Sequence, residues 1–150
     1  MADTSNESKA VDRNHPGLKK EAEPFFHIVM EGLKGYVDGE HFWDAVAEDA
    51  VFEFMYHVPG FTTKIIGRDA YMEWFGGYSA LLHSADNLRI YKAREQEAVI
   101  LEYEVHGIIP STGKNYDNRF CSIVTLKDRK IIHWRDYMDT LAMMTAFTPD

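Results

Sequence analysis

Three stretches late in the chain carry side chains that could move protons. Trp134-Arg135-Asp136-Tyr137 sets a carboxylate among aromatic residues. Glu102-Tyr103-Glu104-Val105-His106 alternates carboxylates and an imidazole with apolar residues. Tyr116-Asp117-Asn118-Arg119-Phe120 carries a carboxamide between rings. If each stretch is a β-strand, residues two apart share a face. Asp136 then lies with Ile132, Trp134 and Met138, Glu102 and Glu104 lie with His106, and Asn118 lies with Tyr116 and Phe120. Arg119 and Arg135 fall on the other faces by the same parity. Carboxylates gathered in a low-dielectric space cannot all ionise, so at least one acquires a raised pKa. A protonated and an ionised carboxyl together make an acid and a base. His106 could orient Asp136 or share its proton, and Asn118 could donate to a developing oxyanion.

The elements that would hold these groups can be read along the chain. Residues 1–15 are polar and read as a disordered tail ahead of one domain spanning 16–150. From Pro16 to about Gly39 apolar residues recur mostly at three- and four-residue spacing (Phe25, Phe26, Val29, Met30, Leu33), the pattern of an amphipathic helix. A short second helix uses Phe42, Trp43 and Val46. Ala50 to His57 reads as a strand closed by Pro59-Gly60. Gly67-Arg68-Asp69 opens a third helix reaching about His83, with Asp69 placed as its cap. Four strands follow, over about 86–94, 98–108, 115–126 and 130–138, separated by polar, Pro/Gly and charged turns. Leu141 to Phe147 closes the chain as a short helix. Helices first and strands last predict an α+β domain with a mainly antiparallel sheet.

Bulk composition narrows the partners. A formal charge of −8 argues against nucleic acid, since phosphate binding needs clustered Lys and Arg. No run approaches the ~18 apolar residues of a membrane span, and the polar start lacks the apolar segment of a signal peptide. The single cysteine, Cys121, excludes an internal disulfide framework and points to a reducing, cytoplasmic setting. The seven histidines are scattered without ligand spacing, so no metal site is predicted. Neither a phosphate-binding glycine loop nor a nucleophile elbow is present. The expectation is chemistry without a cofactor.

Several segments also resemble a known group. Ala47-Glu48-Asp49-Ala50, Gly67-Arg68-Asp69 and Thr112-Gly113-Lys114-Asn115-Tyr116 resemble, in order and spacing, elements of the SnoaL-like, ketosteroid-isomerase-like superfamily, also called nuclear-transport-factor-two-like. Lys130 to Asp139 is similar to the last-strand signature of its limonene-epoxide-hydrolase branch. The resemblance covers roughly residues 20–147. It implies a cone-shaped barrel of curved sheet with three N-terminal helices and a short C-terminal helix, commonly a homodimer through the outer sheet face. It also implies that the three strand faces above point into a cavity. Asp136 then matches the catalytic aspartate of the hydrolase. The hydrolase's Arg-x-Asp partner is replaced by Glu102-Tyr103-Glu104, and its water-holding Tyr and Asn by Phe52 and Phe54. The steroid isomerase's base falls near Phe54 and its oxyanion acid near Cys121.

The combined expectation names Asp136, His106 and Glu104 as catalytic. Asn118, Phe120, Trp134, Trp74, Tyr78, Glu102, Phe54 and Met138 would contact a small hydrophobic, ring-bearing substrate. The reaction expected is isomerisation, cyclisation or dehydration by proton transfer. The alternatives are a non-catalytic ligand-binding domain, or epoxide hydrolysis with altered partners.

Overall fold

The computed structural model describes residues 23–150 together with Val11 and His15. Apart from those two residues, the expected tail over 1–15 and the start of the first helix over 16–22 lie outside the described residues. The elements run α1 (Glu23–Gly32), α2 (Phe42–Ala45), β1 (Val46–Phe54), β2 (Lys64–Ile66), α3 (Arg68–Ser79), β3 (Leu82–Lys92), β4 (Ala98–Ile108), β5 (Asn115–Lys127), β6 (Lys130–Met138) and α4 (Thr140–Phe147). The strands form one sheet in the order β2-β1-β6-β5-β4-β3. Every neighbouring pair is antiparallel except β1 and β6, which run parallel. The class is α+β, as the order of elements predicts.

Four irregularities bend the sheet, the first where β3 steps from Leu82 to Ser84 against the single step from Gly107 to His106. β1 advances from Val46 to Val51 while β6 advances only from Ile131 to His133. On β3 the step from Asp86 to Arg89 faces the shorter step from Glu104 to Glu102, with Asn87 at φ 56°. On β6 the step from Ile131 to His133 faces only Leu126 to Thr125. Each extra residue adds twist and a kink to its strand, and together they wrap the sheet around its concave face. The last of them also reverses an expected alternation: Ile131, not Ile132, is fully buried ahead of Trp134 and Asp136.

Aromatic residues fill the hollow. α1 turns Phe25 and Phe26 inward, where they meet Phe42, Trp43 and Phe75 at ring separations of 5.1–6.5 Å. Offset and edge-on pairs at this range add to the burial of large apolar area. α3 repeats rings at Tyr71, Trp74, Phe75 and Tyr78, a three- and four-residue spacing that puts all four on one helix face. Its cap is Gly67 at φ 97°, without a side-chain cap, rather than the expected Asp69. At Gly107 the β4 backbone passes so close to β3 that a Cβ would lie 1.7 Å from the Leu81 carbonyl oxygen.

The remaining differences from expectation are local. α1 ends at Gly32, and a turn follows with Gly35 at φ 87°. β1 starts at Val46, and β3 takes in residues expected to finish α3. β2, with three residues, is too short for alternation to reveal. Between β1 and β2, the Phe61 N–H donates to the Val58 carbonyl at 3.0 Å, with Gly60 at φ 84°. That is a Pro-Gly turn whose third position needs a positive φ. No helix among the described residues is long and apolar enough to cross a membrane.

Candidate functional site

A cavity of about 310 Å³ opens on the concave face, and Asp136 is the carboxylate in its wall. β6 delivers Asp136 there by alternation from Trp134, and ladder register supplies its neighbours. Ser122 on β5 stands directly opposite Asp136, and Phe54 on β1 lies beside it. Residues opposed in a sheet have Cβ atoms close enough to bond. The Ser122 hydroxyl donates to Asp136 Oδ1 at 2.5 Å, and the Trp134 indole N–H donates to the same oxygen at 2.6 Å. The Tyr103 hydroxyl lies 2.8 Å from Ser122 Oγ and extends the chain of bonds to β4. Oδ2 receives no hydrogen bond among the described residues. One oxygen is therefore held and the other is available to the cavity.

Burial sets the electrostatics. Asp136 is 7% exposed, and desolvation raises its pKa from 3.8 to about 6 against the downward pull of the Ser122 and Trp134 hydrogen bonds. Tyr71 and Tyr103 are held well above the ordinary tyrosine value, first by burial and then by the charge of Asp136. Tyr56 is raised for the same two reasons. These phenols therefore stay protonated and act as neutral donors. The hydroxyls of Tyr56 and Tyr71 have no partner among the described residues, and both side chains line the cavity.

The walls carry most of the aromatic residues expected there. Phe54, Trp74, Tyr78, Phe120 and Met138 all line the space. Trp74 stacks between Tyr71 and Tyr78 at ring separations of 5.5 and 5.6 Å. Phe120 stacks on Tyr103 at 5.7 Å. At the rim, Phe61 from the Pro-Gly turn meets Phe147 of α4 edge-on at 6.0 Å.

Two expected residues are buried without lining the cavity. Trp134 sits behind Asp136 and orients it. Asn118 spends its carboxamide on the fold: Oδ1 accepts from the backbone N–H groups of Arg119 (2.8 Å) and Asp139 (3.0 Å). Its Nδ2 donates to the Tyr116 hydroxyl at 3.0 Å, which lies 3.1 Å from that of Tyr78. Asp139 in turn caps α4 by accepting from the Ala142 N–H at 3.1 Å. Asn118 thus seats α4, and through it Met143 and Phe147, over the cavity.

Three expected residues are on the wrong side of the sheet for the cavity. Glu102, Glu104 and His106 occupy the outer face of β4, while Val99, Leu101, Tyr103 and Val105 are buried within. A parity error of one residue exchanges the two faces of a strand completely. The apolar set faces inward because burying two unpaired carboxylates costs free energy, whereas burying valine and leucine is favourable. His106 lies between Asp117 (Nδ1 to Oδ1, 2.6 Å) and Asp86 (Nε2 to Oδ1, 2.9 Å). These hydrogen bonds raise its pKa. Glu104 bonds Asn87 and pairs with Arg119 Nε at 3.2 Å. Asp86, Glu104 and His106 come close enough together to hold a cation, a grouping that linear spacing could not reveal because Asp86 comes from β3.

The residues that sequence reasoning missed are Ser122, Tyr103, Tyr56 and Tyr71. Ser122 was within reach, since it continues the Asn118, Phe120 alternation by one more step. Tyr103 follows from choosing the apolar parity of β4.

A bulged, mainly antiparallel sheet curled around an aromatic cavity, with helices across its mouth, is the architecture of nuclear-transport-factor-two-like proteins. The family model for the SnoaL-like domain matches residues 30–134, and the chain belongs to that family. It is 31% identical to the uncharacterised protein YesE of Bacillus subtilis over 123 residues, covering 81% of this chain and 80% of that one. The crystal structure of a proposed isomerase from Bacillus subtilis superposes with a TM-score of 0.67 at 24% identity, covering 91% of this chain and 96% of the other. A phenazine biosynthesis-related protein from Pseudomonas aeruginosa superposes with a TM-score of 0.60 at 19% identity, covering 72% and 73%. These structural likenesses concern the fold.

Proposed function

We propose that the protein is a cofactor-independent enzyme that moves a proton within a small, hydrophobic, ring-bearing substrate held in the concave cavity. Asp136 is the acid–base residue. The observation that carries the reading is the asymmetry of its carboxyl group: Oδ1 is held by Ser122 and Trp134, and Oδ2 is available to the cavity. A pKa of about 6 lets the same group take a proton and return it near neutral pH, which is the condition for efficient general acid–base catalysis. Tyr56 and Tyr71 supply hydroxyl donors for an oxygen that gains charge as the proton leaves carbon. Ser122 and Tyr103 act on the reaction by positioning Asp136.

The outer-face positions of His106 and Glu104 remove them from this scheme, and Asn118 enters it only through α4. Hydrolytic opening of an epoxide, which the last-strand motif resembles, ranks below proton transfer. Phe54 stands where a water-holding group would be needed, and no arginine lines the cavity among the described residues. Pairing of two copies through the outer sheet face, where Tyr91 and Ile108 are exposed, belongs to the same proposal.

Solvent-deuterium exchange into a panel of cyclic ketones and enones, followed by mass spectrometry, tests the reading. Wild-type protein should catalyse exchange at the carbon next to the carbonyl, and Asp136→Asn should lower the rate by at least about a hundredfold. Undiminished exchange in a folded Asp136→Asn protein would remove Asp136 from the chemistry. Ligand binding without turnover by wild type would make the domain a binding module.

A further inference from the structure

The charge inventory of the cavity narrows what it can hold. Eleven of its eighteen lining residues are aromatic, and Asp136 is the one lining residue of the acidic or basic types. Among the described residues, no Lys, Arg or His reaches the wall to balance that carboxylate. The groups facing it from neighbouring elements are Tyr56 beyond β1, Tyr71 on α3, Tyr103 on β4 and Tyr116 on β5. Burial keeps all four protonated. Above the titration of Asp136 the cavity therefore holds one uncompensated negative charge inside a wall of aromatic rings.

Each of these features selects against an anionic ligand and for a cationic one. A second negative charge would be buried beside the first without a counter-ion, the costliest arrangement in a low-dielectric space. A desolvated ammonium gains twice: from the carboxylate, and from the negative faces of aromatic rings within about 6 Å. Tyr71, Trp74 and Tyr78 stack in a row along one wall, Tyr71 also lying face-to-face on Phe52 at 3.6 Å and Phe54 tilting against Trp74 at 4.8 Å. Further lining rings come from Tyr56, Tyr103 and Phe120. The apolar side chains around them would take the hydrocarbon part of the ligand.

We infer that the substrate or ligand of this cavity is an apolar amine bound as its ammonium ion, held among the aromatic rings in the field of Asp136. The inference rests on the cavity being the ligand site, as proposed above, and specifies the chemical class that enters it.

Three probes of similar shape separate the possibilities: benzyltrimethylammonium, its sparingly soluble uncharged carbon isostere neopentylbenzene, used at low micromolar concentration, and phenylacetate. Binding is read by quenching of tryptophan fluorescence and by calorimetry. At about pH 8 the ammonium should bind at least about tenfold tighter than the isostere, and phenylacetate weakest. The advantage should shrink at about pH 5, where Asp136 is protonated, and in Asp136→Asn at either pH. The wild-type pH comparison stands even if that variant folds poorly. Equal or tighter binding of the isostere at the higher pH overturns the inference. So does binding of phenylacetate as tight as that of the ammonium, or no binding of the ammonium at millimolar concentration. None of the probes carries an enolisable ketone, so the result is independent of turnover. Loss of the charge preference with Asp136-dependent deuterium exchange intact would sink this inference and leave the proposed reaction standing.

Discussion

Replacing Asp136 by Asn should stabilise the protein, and by an amount that grows with pH. The folded carboxyl has a pKa of about 6 against an ordinary 3.8, chiefly because it is buried. A carboxyl whose pKa is raised on folding favours the folded state only while it is protonated. Below 3.8 it is neutral in both states and costs little. As pH rises from 3.8, the unfolded chain ionises while the folded one resists, and stability falls. Above about 6 both are ionised and the deficit is constant. At ~1.4 kcal/mol per pH unit the full deficit is on the order of 3 kcal/mol, about 2 of which accrues between about pH 4.5 and pH 7.5. An asparagine keeps a carbonyl oxygen for the Ser122 and Trp134 donors but does not titrate. Urea unfolding followed by tryptophan fluorescence, run on both proteins across that range, isolates the effect. Every other titrating group cancels in the difference, and any change in hydrogen bonding adds a constant. A difference that stays flat, or shrinks as pH rises, would refute the account of Asp136 as a buried carboxylate lacking a cation.

Other substitutions probe the surroundings. Ser122→Ala removes a donor that lowers the Asp136 pKa, so the pH at which stability levels off should move upward, with a loss of about 1–2 kcal/mol from the broken bond. Asn118→Leu removes the nearer acceptor of the Asp139 N–H, leaving it only the Arg119 carbonyl at 3.3 Å, together with the bond to the Tyr116 hydroxyl, and should cost about 1–3 kcal/mol. Hydrogen exchange should then quicken over α4, with less change in the central strands. Gly107→Ala drives a methyl group into the Leu81 carbonyl and should cost at least about 3 kcal/mol, visible as a lowered melting temperature or as failure to fold.

The fold was largely legible because its signals are periodic. Three- and four-residue spacing revealed α1, the Gly67-Arg68-Asp69 start revealed α3, and β-rich stretches bounded by Pro, Gly and charged turns revealed the four late strands. Asp136 could be read for a different reason: a carboxylate two residues from a tryptophan, on a strand with an apolar inner face, is forced to find partners. What failed was parity. On β4 both faces carry a plausible set, Glu102, Glu104 and His106 against Val99, Leu101, Tyr103 and Val105. Chemical interest favoured the first set, whereas the cost of desolvation favours the second. The bulge at Ile132 and the three-residue β2 lie below the reach of any period. Tyr56 and Tyr71 were hidden because they approach Asp136 from a loop and a helix, and only three-dimensional closure brings those elements together.

The parallel pairing of β1 with β6 has a consequence for how the chain comes to possess this site. β3 through β6 can zip up as neighbours along the sequence. β1 must wait, because its ladder partner on one side begins at Lys130 and lies near the end of the chain. Contacts of such long sequence separation form late and slow a folding reaction. The join that sets Phe54 beside Asp136 is therefore among the last made. During synthesis, a chain lacking its final twenty or so residues presents β1 with one edge unsatisfied. The complete wall of the cavity would then arrive in a single closing step, not by degrees.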